Sequence, residues 1–332
     1  MRLFGNDIKR MVSAAMEISL KFDLLKIGGF GQEAGAAFNI FDKLSIGLSL
    51  ILMLLSFLFA FINDNYTHYV GNGNPININN GVLVLLIFLL LILSATLYRF
   101  LPKAGFVFKF IALYFLSIMA MIISCNVQFS PFPPIDVDLH KIDLLMGFNQ
   151  DQWLASIHQH AICLKILNWA YESLTYQIVF LPALACCFID RLELESFLVK
   201  LCFLNIIGCL MYYFWPTASP ASVLNHKYLI DSQIDLALKF KQLHQKICPT
   251  VSSGGLISFP SFHVIWSALL TLLFRKKMYF LVPLLILNSL LWLATVLLGW
   301  HYIMDVVAGL LLVLISFILF DKFIKNKFIL TN

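Results

Sequence analysis

Eight long apolar runs, separated by polar segments, dominate the pattern of hydrophobic and polar positions along the chain. Seven of these runs are close to the length of about 20 residues that an α-helix needs to cross the hydrocarbon core of a bilayer, and the run after Pro260 is shorter because it ends before Arg275. The pattern therefore predicts membrane-spanning helices. The predicted spans are Leu44–Ile62, Gly81–Leu101, Gly105–Cys125, Tyr171–Ile189, Phe197–Trp215, the run after Pro260, Met278–Gly299 and His301–Phe320.

The composition supports the same fold class. Of the 332 residues, 60% are hydrophobic and only 12% are charged, and the mean hydropathy is +0.86. A soluble domain does not hide that much apolar surface, so the composition excludes one. We expect an all-α protein, a polytopic membrane bundle of about eight transmembrane helices. The formal charge of +5 is modest and gives no reason to expect nucleic acid as a partner.

The positions of the basic residues predict how the bundle is oriented. With the N-terminus inside, 17 of the 23 Lys and Arg residues fall in inside segments, as the positive-inside rule requires. Both termini are then cytoplasmic, and Asn63–Asn80, Asn126–Trp169 and Thr217–Gly255 face outside. The sixth and eighth spans both start on the outside, so His263 and His301 are expected at the same membrane level.

Two short polar islands, each at the start of an apolar run, carry the candidate chemistry. His301 and Asp305 are four residues apart, so a helix would place them on one face, where the carboxylate can hold one imidazole nitrogen. Ser261 suits a helix N-cap, which leaves the amides of Phe262 and His263 unpaired for a phosphate group. Two alternatives stay open: zinc bound by His263, His301 and Asp305, or ordinary structural histidines.

The run Pro260-Ser261-Phe262-His263, followed by His301-x3-Asp305, resembles the type 2 phosphatidic acid phosphatase superfamily. Members of that superfamily read P-S-G-H and then S-R-x5-H-x3-D, preceded by K-x6-R-P. The surrounding text resembles the branch that contains inositol phosphorylceramide synthase-like enzymes and many bacterial lipid phosphatases. The resemblance implies a six-helix catalytic core at 105–321, two additional helices at 44–104, a cytoplasmic segment at 1–43 and a cytoplasmic tail at 322–332.

The resemblance also implies roles for individual residues. His301 matches the nucleophile that forms a phosphohistidine, and Asp305 matches the group that orients it. His263 matches the general acid that protonates the leaving oxygen, and Ser261 matches a serine that binds the phosphate. No metal and no cofactor are implied.

The chain departs from the family at the residues that usually clamp the phosphate. Phe262 replaces the usual glycine, and the Lys and two Arg of the clamp are missing. We expect the amide of Phe262, the side chain of Tyr302 or Tyr212, and a cation of the outside loop to supply phosphate contacts instead. Lys227 is our choice of cation, and the other candidates in that loop are His226, Lys239, Lys241 and Lys246. The Ser and Arg that precede the second histidine in the family fall on Ala294 and Thr295. The Lys and Arg of K-x6-R-P fall on Gly208 and Trp215 if its proline is aligned with Pro216, or on Tyr212 and Ser219 if it is aligned with Pro220.

The function predicted from these residues is phosphoryl transfer on a lipid phosphate ester at the outer face of a bacterial inner membrane. Water as the acceptor makes the protein a phosphatase, and a lipid alcohol makes it a headgroup transferase. A transporter and a catalytically inactive lipid-binding relative are the alternatives from other classes. The partners expected are the lipid substrate and membrane lipids, while the oligomeric state is left open.

Overall fold

The computed structural model describes residues 38–68, 78–124, 130–251 and 255–329. The predictions made for residues 1–37, and for residues 69–77 of the first outside loop, lie outside these ranges. Within the described ranges there are eleven α-helices and no strand, which confirms the all-α class. The helices are α1 Ile40–Thr67, α2 Ile78–Leu97, α3 Pro102–Ser124, α4 Asp136–Leu145, α5 Gln150–His158, α6 Ala161–Phe188, α7 Arg191–Phe214, α8 Asp231–His244, α9 Phe262–Leu273, α10 Met278–Leu297 and α11 Ile303–Ile329.

Six of the described helices are long and apolar enough to cross a membrane: α1, α3, α6, α7, α10 and α11. Two shorter apolar helices, α2 and α9, occupy the other two predicted runs. The polytopic helical bundle is therefore confirmed.

Some predicted helix starts were wrong. Helix α6 begins at Ala161, whereas the predicted span begins at Tyr171. The prediction missed the first turns because they carry polar side chains such as Lys165 on an exposed face, which lower the mean hydropathy of that stretch. Helix α11 begins at Ile303, so His301 lies in the preceding loop and not inside the helix.

The short helix α9 is at the centre of the bundle. It packs against α6, α7, α10 and α11, and Ile265, Leu269 and Leu273 belong to the main hydrophobic core. Its 12 residues rise about 18 Å, less than the roughly 30 Å of a hydrocarbon core. Helix α9 therefore cannot cross a bilayer alone, and its N-terminus lies in the interior of the bundle.

Buried hydrogen bonds hold α9 against two neighbours. The side-chain amides of Gln177 in α6 and Asn288 in α10 bond to each other, at 2.8 and 2.9 Å. Asn288 also donates to the Thr271 hydroxyl of α9 at 2.7 Å, and the Trp292 indole donates to the Ser267 hydroxyl at 2.8 Å. Such interhelical bonds each contribute about 0.6–2 kcal/mol in a membrane bundle, so α9 has a defined position.

An ion cluster joins three helices at the end of α9 that lies away from His263. Arg275, just after α9, contacts Glu193 of α7 at 3.0 Å and Asp321 of α11 at 3.3 Å. Lys200 of α7 contacts Asp321 at 3.0 Å. The cluster fixes α7, α9 and α11 relative to one another, which in turn fixes the opposite ends of α9 and α11.

Candidate active site

Ser261 ends an extended segment and begins α9. Its φ of −67° and ψ of 113° are those of an N-cap, and its hydroxyl accepts a hydrogen bond from the Val264 amide at 3.4 Å. The Ser261 amide donates to the Asp305 carbonyl at 3.2 Å, which joins the start of α9 to the start of α11. His263 therefore lies in the first turn of α9, next to the loop that carries His301.

The loop between α10 and α11 is a tight turn that presents His301. Gly299 has φ +79°, a left-handed conformation that glycine adopts without a steric penalty. The amides of Trp300 and His301 both donate to the Thr295 carbonyl at 3.0 Å and so close the end of α10. His301 is consequently held two residues before α11 and is 5% exposed.

Asp305 holds one nitrogen of His301. Its Oδ2 lies 3.1 Å from Nδ1 of His301, and it also accepts from the Ser258 hydroxyl at 3.1 Å and the Tyr302 amide at 3.0 Å. A carboxylate oxygen that already accepts two hydrogen bonds favours a proton on Nδ1, so Nε2 of His301 keeps its lone pair. Ser258 was not identified from the sequence, because it lies 47 residues before Asp305 and precedes the recognisable motif.

The structure brings His263 and His301 together. Their ring centroids are 5.7 Å apart, at 62° to each other. Tyr171 of α6 stacks on His263 at 4.5 Å and on Trp300 at 5.3 Å, so the His263 ring has little freedom to turn. Both histidines line one cavity of about 340 Å³, which we call the reactive cavity. Its other polar side chains include Ser219, Ser232 and Ser258.

Burial controls the charge of His301. It lowers the pKa of His301 to about 4, and a hydrogen bond to the Ser258 backbone works in the other direction. His301 is therefore neutral near pH 7, with the lone pair that a nucleophile requires.

A second buried carboxylate, that of Asp136, joins the Ala218–Ser219 segment to Tyr302, the residue after His301. Asp136 accepts hydrogen bonds from the Ala218 amide at 3.0 Å, the Ser219 amide at 3.1 Å and the Tyr302 hydroxyl at 3.1 Å. Burial raises its pKa, and these hydrogen bonds lower it in part. The sequence places Asp136 in a polar segment among several acidic residues, with no signal that separates it from them.

Two further polar side chains, of Gln150 and Asp143, form hydrogen bonds to the backbone of the His301 loop. Gln150 donates to the His301 carbonyl at 3.2 Å, and Asp143 accepts from the Ile303 amide at 3.4 Å. Burial raises the pKa of Asp143 to about 6. Both residues come from the segment Asn126–Trp169, which the sequence predicts to face outside, so only the fold reveals their contact with the motif.

The four predicted phosphate-binding residues do not have side chains on the lining of the reactive cavity. The Ser261 hydroxyl caps α9 and is fully buried, while the Phe262 ring packs against Gly208, where a Cβ would lie 2.5 Å from it. The Tyr302 hydroxyl bonds to Asp136, and Lys227 is exposed with its ammonium 5.0 Å from the ring of its neighbour. Among the described residues that line this cavity there is no Lys or Arg.

The described ranges contain no group of three or more His, Cys, Asp and Glu side chains arranged to hold a metal ion. Asp305, which the zinc alternative would use as a ligand, contacts His301 itself.

Comparison with known proteins gives one match. The family model described as the PAP2 superfamily matches residues 137–319. No curated protein and no solved structure matches the chain. The matched region covers more than half of the chain, from α4 to α11, and includes both histidines of the reactive cavity. The chain therefore belongs to the PAP2 superfamily, the type 2 phosphatidic acid phosphatases.

Proposed function

We propose that this protein transfers a phosphoryl group from a lipid phosphate ester at the extracytoplasmic membrane face, through a phosphohistidine on His301. Membership in the PAP2 superfamily and the apolar helices support a membrane phosphatase-type enzyme. The observation that carries the finer proposal is the pair of imidazoles in one cavity, with Nδ1 of His301 held by Asp305. One ring is a neutral nucleophile, and the other can handle the proton.

In the first step, Nε2 of His301 attacks phosphorus while the bond from phosphorus to the ester oxygen breaks. His263 gives its proton to the departing oxygen, so the leaving group departs as an alcohol. The bound phosphate anion stabilises the imidazolium form of His263 before this transfer. In the second step, water gives a proton to His263 and attacks phosphorus, the P–N bond breaks, and neutral His301 is restored.

Phosphate release from purified protein in lipid nanodiscs tests this proposal. The substrates are phosphatidic acid, phosphatidylglycerol phosphate and undecaprenyl pyrophosphate, and rapid alkaline quenching of labelled substrate traps a phosphohistidine. His301→Ala should abolish both turnover and the trapped intermediate, because no neighbouring group replaces the imidazole. His158→Ala is the matched control, since His158 does not line the reactive cavity. Turnover in His301→Ala, or no turnover of any lipid phosphate by the wild type, would contradict the proposal.

Headgroup transfer is the second candidate, and a neighbouring cavity favours it. This acceptor cavity, of about 650 Å³, shares Ala218 with the reactive cavity. Most of its lining is apolar, and its polar residues are Asp136, Ser222, His226, Lys241, His244 and Gln245. Nδ1 of His244 lies 3.1 Å from the Phe240 carbonyl and so must donate. Burial lowers the pKa of His244, which leaves its buried Nε2 as an acceptor with no partner in the described residues. A hydroxyl group would satisfy it.

A lipid alcohol in place of water tests this second candidate. Phosphatidylinositol labelled in its headgroup phosphate would be supplied with ceramide, and the labelled ceramide product would be measured beside released inositol phosphate. Labelled ceramide product that is lost in His244→Phe, with release of inositol phosphate unchanged, supports transfer. Release of inositol phosphate alone, with ceramide present, leaves hydrolysis as the activity.

A further inference from the structure

Ser219 has a backbone conformation that residues other than glycine rarely adopt. Its φ is +115° and its ψ is 165°, in a region that is essentially restricted to glycine. It is also one of the few described non-glycine residues with a positive φ. The sequence nevertheless has a serine here, between Ala218 and Pro220. A strained residue that lines a cavity beside two histidines calls for an explanation from function.

Hydrogen bonds from both sides hold Ser219 in this conformation. Its amide donates to Oδ1 of Asp136 at 3.1 Å, and the amide of Ala218 donates to Oδ2 at 3.0 Å. The Tyr302 hydroxyl donates to Oδ1 of Asp136 at 3.1 Å and lies 3.3 Å from the Ser219 carbonyl. Because Tyr302 directly follows His301, these bonds set the position of Ser219 relative to His301.

Both backbone polar groups of Ser219 have hydrogen-bond partners away from the reactive cavity, so its side chain is the polar group that can serve the cavity. The amide faces Asp136, and the carbonyl faces the Tyr302 hydroxyl and the Ser222 amide, which lies at 3.0 Å. Ser219 lines the reactive cavity together with His263 and His301. In the described part of the chain, no hydrogen-bond partner of the Ser219 hydroxyl is observed, so this donor is available to a ligand.

We propose that the Ser219 hydroxyl binds the phosphate group of the substrate, and that Asp136 and Tyr302 are positioning residues that keep it pointing into the reactive cavity. This inference rests on the proposed function, because it assigns a contact to the substrate of that reaction. The described lining of the cavity has no Lys or Arg, so neutral donors must supply part of what a phosphate oxygen needs. A serine hydroxyl donates one hydrogen bond. In this proposal the hydrogen bond to the substrate phosphate is the reason why a serine, and not a glycine, occupies the strained position 219.

Two substitutions at Ser219 separate a binding role from a structural one. Ser219→Gly removes the hydroxyl and also relieves the strain, so thermal stability should rise by a few degrees. Ser219→Ala removes the hydroxyl and keeps the strain, so stability should stay near that of the wild type. Both variants should lose about tenfold in kcat/KM on a lipid phosphate, the effect of one hydrogen bond to a charged group. Ser156→Gly is the control, since Ser156 is exposed on α5 and has no positive φ, so its Tm should not rise.

Binding of inorganic phosphate gives a readout that does not depend on turnover. The rise in Tm caused by phosphate in the wild type should shrink in Ser219→Gly and Ser219→Ala, and also in Tyr302→Phe, which keeps the ring but removes the bridging hydroxyl. A Ser219→Gly variant that is more stable, turns over at the wild-type rate and responds normally to phosphate would overturn the binding role. A variant that is no more stable would overturn the account of strain. If the wild type binds phosphate through Ser219 but hydrolyses no lipid phosphate, the proposed function fails and this inference stands.

Discussion

Asp305→Asn should remove the charge behind His301 with little change in geometry. Three donors point at Oδ2 of Asp305, from His301, Tyr302 and Ser258, whereas Oδ1 has no partner among the described residues. An asparagine can place its oxygen at the Oδ2 position and its NH2 group at the Oδ1 position, so all three hydrogen bonds can persist. The substitution therefore isolates the negative charge.

The size of the effect follows from where positive charge develops. His301 becomes positively charged as Nε2 attacks phosphorus while Nδ1 keeps its proton, 3.1 Å from the carboxylate. Unit charges at that separation interact by about 5 kcal/mol at an effective dielectric constant near 20, which is an upper bound for the net effect. A loss of about 3–4 kcal/mol corresponds to a fall of roughly 10²–10³ in kcat.

Steady-state phosphate release and thermal unfolding, measured on the same preparations, check this prediction. Asp143→Asn is the matched control, because Asp143 is also a buried carboxylate near the loop but bonds to the Ile303 amide. We expect Asp143→Asn to keep kcat within a few-fold of the wild type. If Asp305→Asn stays within threefold of the wild type, or if both variants lose the same amount, charge stabilisation of His301 by Asp305 is refuted.

Three further predictions concern the division of labour and the charge of the site. His263→Ala should lose much less activity on a nitrophenyl phosphate ester than on a lipid alkyl phosphate, because a good leaving group needs little protonation, whereas His301→Ala should lose equally on both; equal ratios in the two variants would remove the assignment. Since burial lowers the pKa of His301 to about 4, protonation of His301 should reduce kcat/KM only near pH 4 on a substrate that does not itself titrate in this range, such as a phosphodiester; an acid limb near 6.5 on that substrate would contradict this. Ser232→Lys, which adds a cation to the exposed N-terminal turn of α8 beside the reactive cavity, should improve kcat/KM for a phosphate monoester dianion at least tenfold relative to a diester monoanion, and Ser156→Lys, on an exposed face of α5, should not.

Much of the fold follows from local sequence. The apolar runs are long, so their number and approximate positions are visible, and Ser261 reads as an N-cap from the polar residue before an apolar run. The pairing of His301 with Asp305 is also a local relation, and it survives although His301 precedes α11. In the structure a tight turn at Gly299 brings His301 next to Asp305. The Asp305 carboxylate also accepts a hydrogen bond from the Tyr302 amide, which holds the loop in place.

The rest of the site depends on contacts between distant segments. Asp136 and Ser219 are 83 residues apart, and nothing in either neighbourhood indicates that one carboxylate fixes the conformation of the other segment. Ser219-Pro220 reads as an ordinary turn, so its positive φ is invisible in the sequence. The sequence offers Lys227 as a cation for the phosphate, but its side chain is exposed and lies outside the lining of the reactive cavity.

The charge of the reactive cavity bears directly on which phosphate ester it suits. A phosphate monoester carries close to two negative charges near neutral pH, while a phosphodiester carries one. Removing a charge from water is costly unless opposite charge or several donors replace the solvent. The described lining offers the two imidazoles and serine hydroxyls but no Lys or Arg, and His301 is neutral. In the proposed mechanism the imidazolium of His263 is the one positive charge that the described lining presents to the bound substrate, so the site balances a monoanion better than a dianion. A phosphodiester lipid therefore suits the proposed site better as donor than a monoester does. The adjoining acceptor cavity is consistent with this, since a transferase that takes a headgroup from a phosphodiester needs room for a second lipid.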